Sequence, residues 1–143
     1  MKIHQLSLFL ENRPGQLHGP IALLAKNGIN IRTLMLADTQ QFGILRLIVK
    51  EWEKAKKLLE DAGHVVNVTQ VVAIEVPDRP GGLDEILGIL GDSDANVEYM
   101  YAFTEGRNNQ AVLIFRFEDL DAALAKLEGK DLRFVQVEDI LGG

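Results

Sequence analysis

Residues 11–31, ENRPGQLHGPIALLAKNGINI, and residues 77–97, PDRPGGLDEILGILGDSDANV, align without a gap. Arg13, Pro14 and Gly15 fall on Arg79, Pro80 and Gly81, and Leu17 falls on Leu83. Asn30 falls on Asn96 and Ile31 on Val97. An (N/D)-R-P-G loop, a helix and a second turn ending in Asn and a β-branched residue form a whole structural unit. Its recurrence in a chain of 143 residues predicts two small domains of one design, residues 1–70 and 71–143. Units of about 70 residues are marginal alone, so burial between the halves or between chains is expected.

Composition narrows the class of function. A hydrophobic content of 47% beside 25% charged residues is that of a globular chain. The 21 acidic residues outnumber the 15 basic ones, which argues against a nucleic-acid surface, since that needs clustered Lys and Arg. Zero cysteines exclude disulfides, thiolate metal sites and cysteine catalysis together. The start, MKIHQLSLFLENRPG, lacks a small-residue cleavage site and reads as a strand. No apolar run approaches the roughly 18 residues of a membrane span. These features predict a soluble cytoplasmic protein with no membrane partner.

The order of elements follows from periodicity. In IHQLSLFL, Leu6, Leu8 and Leu10 share one strand face, and ENRPG then breaks the strand. A helix follows, with Leu17, Ile21 and Leu24 in phase, Gly28 as its stop and Pro20 confined to its first turns. INIRTLMLAD and FGILRLIVK are strands around a polar turn at Thr39–Gln41. EWEKAKKLLEDAG is a helix with Trp52, Ala55, Leu59 and Ala62 on one face. The unbroken run HVVNVTQVVAIEV holds the last strand of one unit and the first of the next. The order then repeats: a helix burying Leu83, Ile86, Leu87 and Leu90, the strands NVEYMYAFT and QAVLIFRFE around EGRNN, the helix DLDAALAKLEG, and a closing strand, LRFVQVEDI. The predicted fold class is α+β, two ferredoxin-like βαββαβ units whose antiparallel sheets carry helices on one face.

The strands are apolar on both faces. Leu45, Leu47 and Val49 alternate with Ile44 and Ile48. Val97, Tyr99, Tyr101 and Phe103 are expected on one face, opposite Met100 and Ala102. A two-layer unit needs one apolar sheet face, so the second is expected to be covered.

Catalytic chemistry finds no support. His4, His18 and His64 lie in three elements without a ligand-spaced carboxylate pair, and no nucleophile elbow, Walker loop or zinc signature occurs. Glu118, Asp119 and Asp121 suit a helix start. No catalytic residue, metal or cofactor is implied. The repeated turn is the better candidate, because a strand that stops at R-P-G and turns into a helix leaves backbone N–H groups pointing outward. Asn12 and Asp78 sit on the lips of the two loops, and Asn30 and Asn96 open the following strands. Both turns of a unit are expected at one end of its sheet, holding the carboxylate and ammonium of a free amino acid. Helix capping and turn formation account for the same residue types equally well.

On these residues the chain resembles ACT domains, βαββαβ modules that sense small molecules. ENRPGQL…GINI and PDRPGGL…DANV look like the paired ACT turns, and the likeness spans almost the whole chain as two tandem units. ADTQQFGILRLIV, VVAIEVPDRPGGL and EYMYAF resemble stand-alone tandem ACT proteins without a catalytic domain. The resemblance implies a non-enzymatic, allosteric amino-acid-binding regulator whose ligand lies between units. It nominates Asn12, Arg13, Gly15, Gln16, Leu17, Asn30 and Ile31 in the first unit. The second contributes Asp78, Arg79, Gly81, Gly82, Leu83, Asn96 and Val97. Serine-sensing relatives carry a histidine where this chain has Leu10, which argues against serine. Asp78 in place of Asn repels a carboxylate and favours an ammonium.

ACT pairs often align their second strands edge to edge. Within one chain that would require the linker to span about 29 Å, six strand spacings of ~4.8 Å. HVVNVTQVVAIEV offers no free linker, so the expectation is edge pairing in a homodimer. The competing expectation is a subunit that docks on a separate metabolic enzyme through its apolar sheet faces.

Overall fold

A computed structural model describes residues 1–38 and 40–142. Thr39, the first residue of the expected polar turn, and Gly143 lie outside the described residues. The elements are β1 (Ile3–Glu11), α1 (His18–Lys26), β2 (Ile31–Asp38), β3 (Phe42–Val49), α2 (Trp52–Asp61) and β4 (Val66–Pro77). They continue with α3 (Gly82–Asp92), β5 (Val97–Ala102), β6 (Gln110–Phe117), α4 (Leu120–Leu127) and α5 (Val137–Leu141). The chain divides into two compact units. The first is His4–Thr69 with residues 141 and 142, and the second is Gln70–Ile140 with Met1–Ile3.

In the first unit the strands run in the order β2-β3-β1-β4, the ferredoxin-like arrangement. Leu6, Leu8 and Leu10 of β1 and Leu45, Leu47 and Val49 of β3 form one apolar face. Leu24 of α1 and Ala55 and Leu59 of α2 close over it. Pro20 is the third residue of α1 and buried, within the first turn, where its missing N–H has no intrahelical acceptor to serve. Ala62 is the exposed C-cap of α2 and not part of its buried face.

The second unit begins in the same strand. β4 is continuous, giving Val66 to the first core and Val72, Ile74 and Val76 to the second. Its order is β4-β6-β5, with Phe115 and Phe117 under Ile86 and Leu90 of α3 and Ala123 and Leu127 of α4. Leu87 is 40% exposed and takes no part in this core.

Two further expectations are corrected in this unit. LRFVQVEDI does not form a full strand: a single bridge joins Phe134 to Ile74, and residues 137–141 are helical. Gly129 turns the chain at φ 78°, only 133–135 then reach β4, and Glu138 and Asp139 suit the first turn of α5. In β5 a register shift between Val97 and Tyr99 inserts one residue, so Val97 and Met100 both pack on the helix-side core. Tyr101 and Phe103 are buried elsewhere, on the opposite face. Ile48, Val112 and Ile114 also face away from the helices and are buried, so part of that face is shielded from solvent in each unit.

Candidate functional site

The R-P-G turn of the first unit is set by backbone constraints. Gly15 lies at φ 86° and its counterpart Gly81 at φ 84°, a left-handed conformation that Gly adopts without a Cβ penalty. Arg13 N donates to Glu11 O at 2.9 Å and Gln16 N to Arg13 O at 3.3 Å, while Asn12 N donates to Gln41 O at 2.9 Å. The last bond pins the turn to the tip of the β2–β3 hairpin. Asn12, Arg13 and Leu17 thereby meet Leu10, Leu36, Asp38 and Gly43 around a cavity of about 80 Å³.

Its chemistry is mixed. Arg13 Nε lies 2.6 Å from Glu11 Oε2, so that pair is internally neutralised. The Asp38 carboxylate is left as an acceptor for a cation. At the start of α1, Gly19 N already donates to Gly15 O at 3.3 Å and Pro20 has no N–H, so the Asn12 carboxamide is the neutral donor on the cavity wall. Leu10, Leu17 and Leu36 supply apolar wall. Sequence reasoning missed Leu36, Asp38 and Gly43. A glycine inside a strand was the available signal for Gly43, since it marks a close approach. A Cβ there would stand 3.1 Å from Leu36 Cδ1.

Asn30 and Ile31 do not join this cavity, contrary to the expectation that both turns share one end. Ile31 pairs with Val49 and Asp38 with Gly43, so seven strand steps, about 24 Å, separate the two ends of β2. The reason is the βαβ crossover: β1 ends at the first turn, α1 runs back, and β2 starts from the far end. Asn30 is exposed, and Ile31 packs against the first core.

The second unit repeats the separation with different chemistry. Asp78 is exposed, and Arg79 Nη2 binds Glu85 at 2.8 and 3.0 Å. Gly82 is buried, and a Cβ on it would lie 1.9 Å from the Pro77 carbonyl oxygen, so the helix start is pressed onto the end of β4. Leu83 packs into the second core, whereas Leu17 is 37% exposed. Val97 is a core contact too. Asn96 Nδ2 donates to Glu118 Oε2 at 3.2 Å and, with Lys126 and Asp119, lines a separate cavity of about 150 Å³.

Two units of this plan with these turns define an ACT-domain protein, and the comparisons agree. Residues 1–142 match the family described as ACT domain pair, and the chain belongs to that family. A solved structure of the protein BT0572 from Bacteroides thetaiotaomicron is 38% identical, with a TM-score of 0.90, over 100% of this chain and 98% of that one. The ligand-free regulatory subunit of aspartate kinase from Thermus thermophilus is 18% identical and shares the fold at a TM-score of 0.64, over 89% of this chain and 91% of that one. The acetolactate synthase small subunit of Mycolicibacterium smegmatis is 24% identical over 87% of this chain and 69% of its own length. The chain is thus an ACT-domain protein similar to regulatory subunits of amino-acid-metabolism enzymes. Among the described residues, no helix is long and apolar enough to cross a membrane.

Proposed function

We propose that this chain is a non-enzymatic regulator that binds a free amino acid at the R-P-G turn of its first unit. The cavity joining Asn12, Arg13 and Leu17 to Leu36, Asp38 and Gly43 is the observation that carries this reading. Asp38 suits the ligand ammonium, the Asn12 carboxamide its carboxylate, and the leucines an apolar side chain. A cavity of about 80 Å³ is only part of an amino-acid site, and sites for small ligands begin at several hundred Å³. A second surface must complete it.

β2 is the edge strand of its unit, with Leu34 and Leu36 exposed at 43% and 48%. Antiparallel alignment of β2 edges from two copies would bring Asn30 of one beside Asp38 of the other. That would reunite the two turns which a single unit holds apart, so a homodimer fits the site as well as the edge. The second-unit turn, with Asp78 and the pressed Gly82, is a poorer carboxylate site.

A thermal-shift panel of the twenty amino acids tests the reading. Ligand at 100-fold its dissociation constant adds about 2.7 kcal/mol, which moves the midpoint by several degrees. Asn12→Ala should abolish that shift and Asp78→Ala should leave it. No shift for any amino acid would sink the sensor reading.

A docking subunit is favoured by one separate observation. Phe9 and Phe42 are 59% and 47% exposed on the helix-free face of the first unit. Such aromatics suit docking on a metabolic enzyme. Phe9→Ser with Phe42→Ser should then release the enzyme while sparing any ligand shift.

A further inference from the structure

We propose that the second unit holds a separate site for a small diamino carboxylic acid. It lies on the helix-free face of the sheet, where the β5–β6 hairpin and the segment after α4 close over β4. Glu75, Asn108, Gln110, Asp131 and Arg133 line a cavity of about 300 Å³ there, at the lower end of small-molecule sites.

The placement of two charges carries the argument. Glu75 N donates to Arg133 O at 2.9 Å and Val135 N to Ala73 O at 2.8 Å, which sets Arg133 directly opposite Glu75 across the strand pair. Side chains so placed have Cβ atoms about 5 Å apart, and opposite charges there ordinarily pair. Here neither side chain has an ionic or hydrogen-bonded partner among the described residues, and both line the cavity instead. Glu75 is half-buried, so its unpaired carboxylate is a cost that a bound cation would remove.

Two polar positions of the lining belong to the second copy of the repeat alone. Glu75 and Gln110 stand where the first unit has Phe9 and Phe42, matched through the pairs Pro77↔Gln110 and Glu11↔Phe42. Asn108 lies in a tight turn: Arg107 N donates to Gln110 O at 3.0 Å and Gln110 N to Arg107 O at 2.7 Å. Asn108 and Asn109 sit at φ 50° and 61°, the paired left-handed conformation that Asn tolerates. Arg107 Nη1 bonds Asp139 Oδ1 of α5 at 3.2 Å and holds this hairpin over the face.

Two carboxylates and one guanidinium give the lining a net charge of −1. A ligand of net charge +1, with one carboxylate for Arg133 and two ammonium groups for Glu75 and Asp131, complements it. The carboxamides of Asn108 and Gln110 then orient it by hydrogen bonds.

Calorimetric titration of the full chain with ornithine, norvaline and putrescine is the test, since the last two each lack one charged group. Ornithine should bind at about millimolar or tighter, and each of the others at least about tenfold more weakly. Glu75→Gln and Arg133→Gln should each weaken ornithine by about tenfold or more, and Asn12→Ala should leave it unchanged. If Glu75→Gln unfolds, Asp131→Asn, at an exposed position, replaces it with the same expectation. No ornithine binding, equal binding of norvaline, or insensitivity to these variants would overturn the site. Loss of binding in Asn12→Ala would overturn it too, by moving the ligand to the R-P-G turn.

Discussion

Glycine 82 shows how one atom separates two copies of a repeat. Its first-unit counterpart is Gln16, where a side chain is accommodated, yet a Cβ at Gly82 would lie 1.9 Å from a backbone carbonyl oxygen. Backbone cannot swing aside as a side-chain tip can, so Gly82→Ala should cost on the order of 1–3 kcal/mol, the usual range for overpacking. Gly88→Ala, in the same helix but with nothing within 4 Å of the new Cβ, should gain about 0.5–1 kcal/mol. Urea unfolding of the two variants checks the opposite signs. A destabilised Gly88→Ala would mean that helix propensity does not govern there. The sequence displayed both glycines but not which one faces a wall, because that depends on how closely the strand end and the helix start approach. The same limit hid Asp38 and Leu36: they lie beyond a whole helix from the turn they join, and only pairing register brings them to it.

Among the elements, strands and helices were legible wherever one periodicity ran unopposed, as in β1 and α2. β5 was not, because a bulge inserts a residue without a mark in the sequence and shifts every later side chain to the other face. The final strand failed for another reason. LRFVQV has good strand propensity, but that propensity reflects fit to a neighbouring strand, and only residues 133–135 reach β4. The positions of the two turns follow from the crossover and needed no side chain at all. The edge strand β2 yields a prediction at this scale. Leu34 and Leu36 are nearly half exposed and face the helix side, so Leu34→Lys should change fold stability by no more than about 0.5 kcal/mol. A lysine on the edge opposes strand addition. If copies pair through β2 as proposed, sedimentation velocity should show a dimer for the parent chain and a monomer for Leu34→Lys, with loss of any amino-acid thermal shift. A dimer that survives Leu34→Lys would place self-association elsewhere.

At the scale of the molecule, the two units are built so that neither is self-contained in sequence. β4 runs unbroken from Val66 in the first core to Val76 in the second. The boundaries between the units also fall inside β1, between Ile3 and His4, and inside α5, between Ile140 and Leu141. Unravelling either unit therefore pulls on the strand that both share, and a single cooperative transition is expected. The chain carries a reporter for each side. Trp52 is its one tryptophan and packs against the first core, stacked on His4 at 4.4 Å, whereas both tyrosines, Tyr99 and Tyr101, lie in the second. Leu127 is 2% exposed in the second core, and Leu127→Ala should cost about 2–5 kcal/mol. If the units unfold together, Trp52 emission and tyrosine absorbance will share one midpoint in the parent chain. The Leu127→Ala substitution will then lower the Trp52 midpoint by several degrees, although that residue is outside the core Trp52 reports. A Trp52 midpoint that stays in place while the tyrosine signal shifts would show that the shared strand transmits no stability between the units.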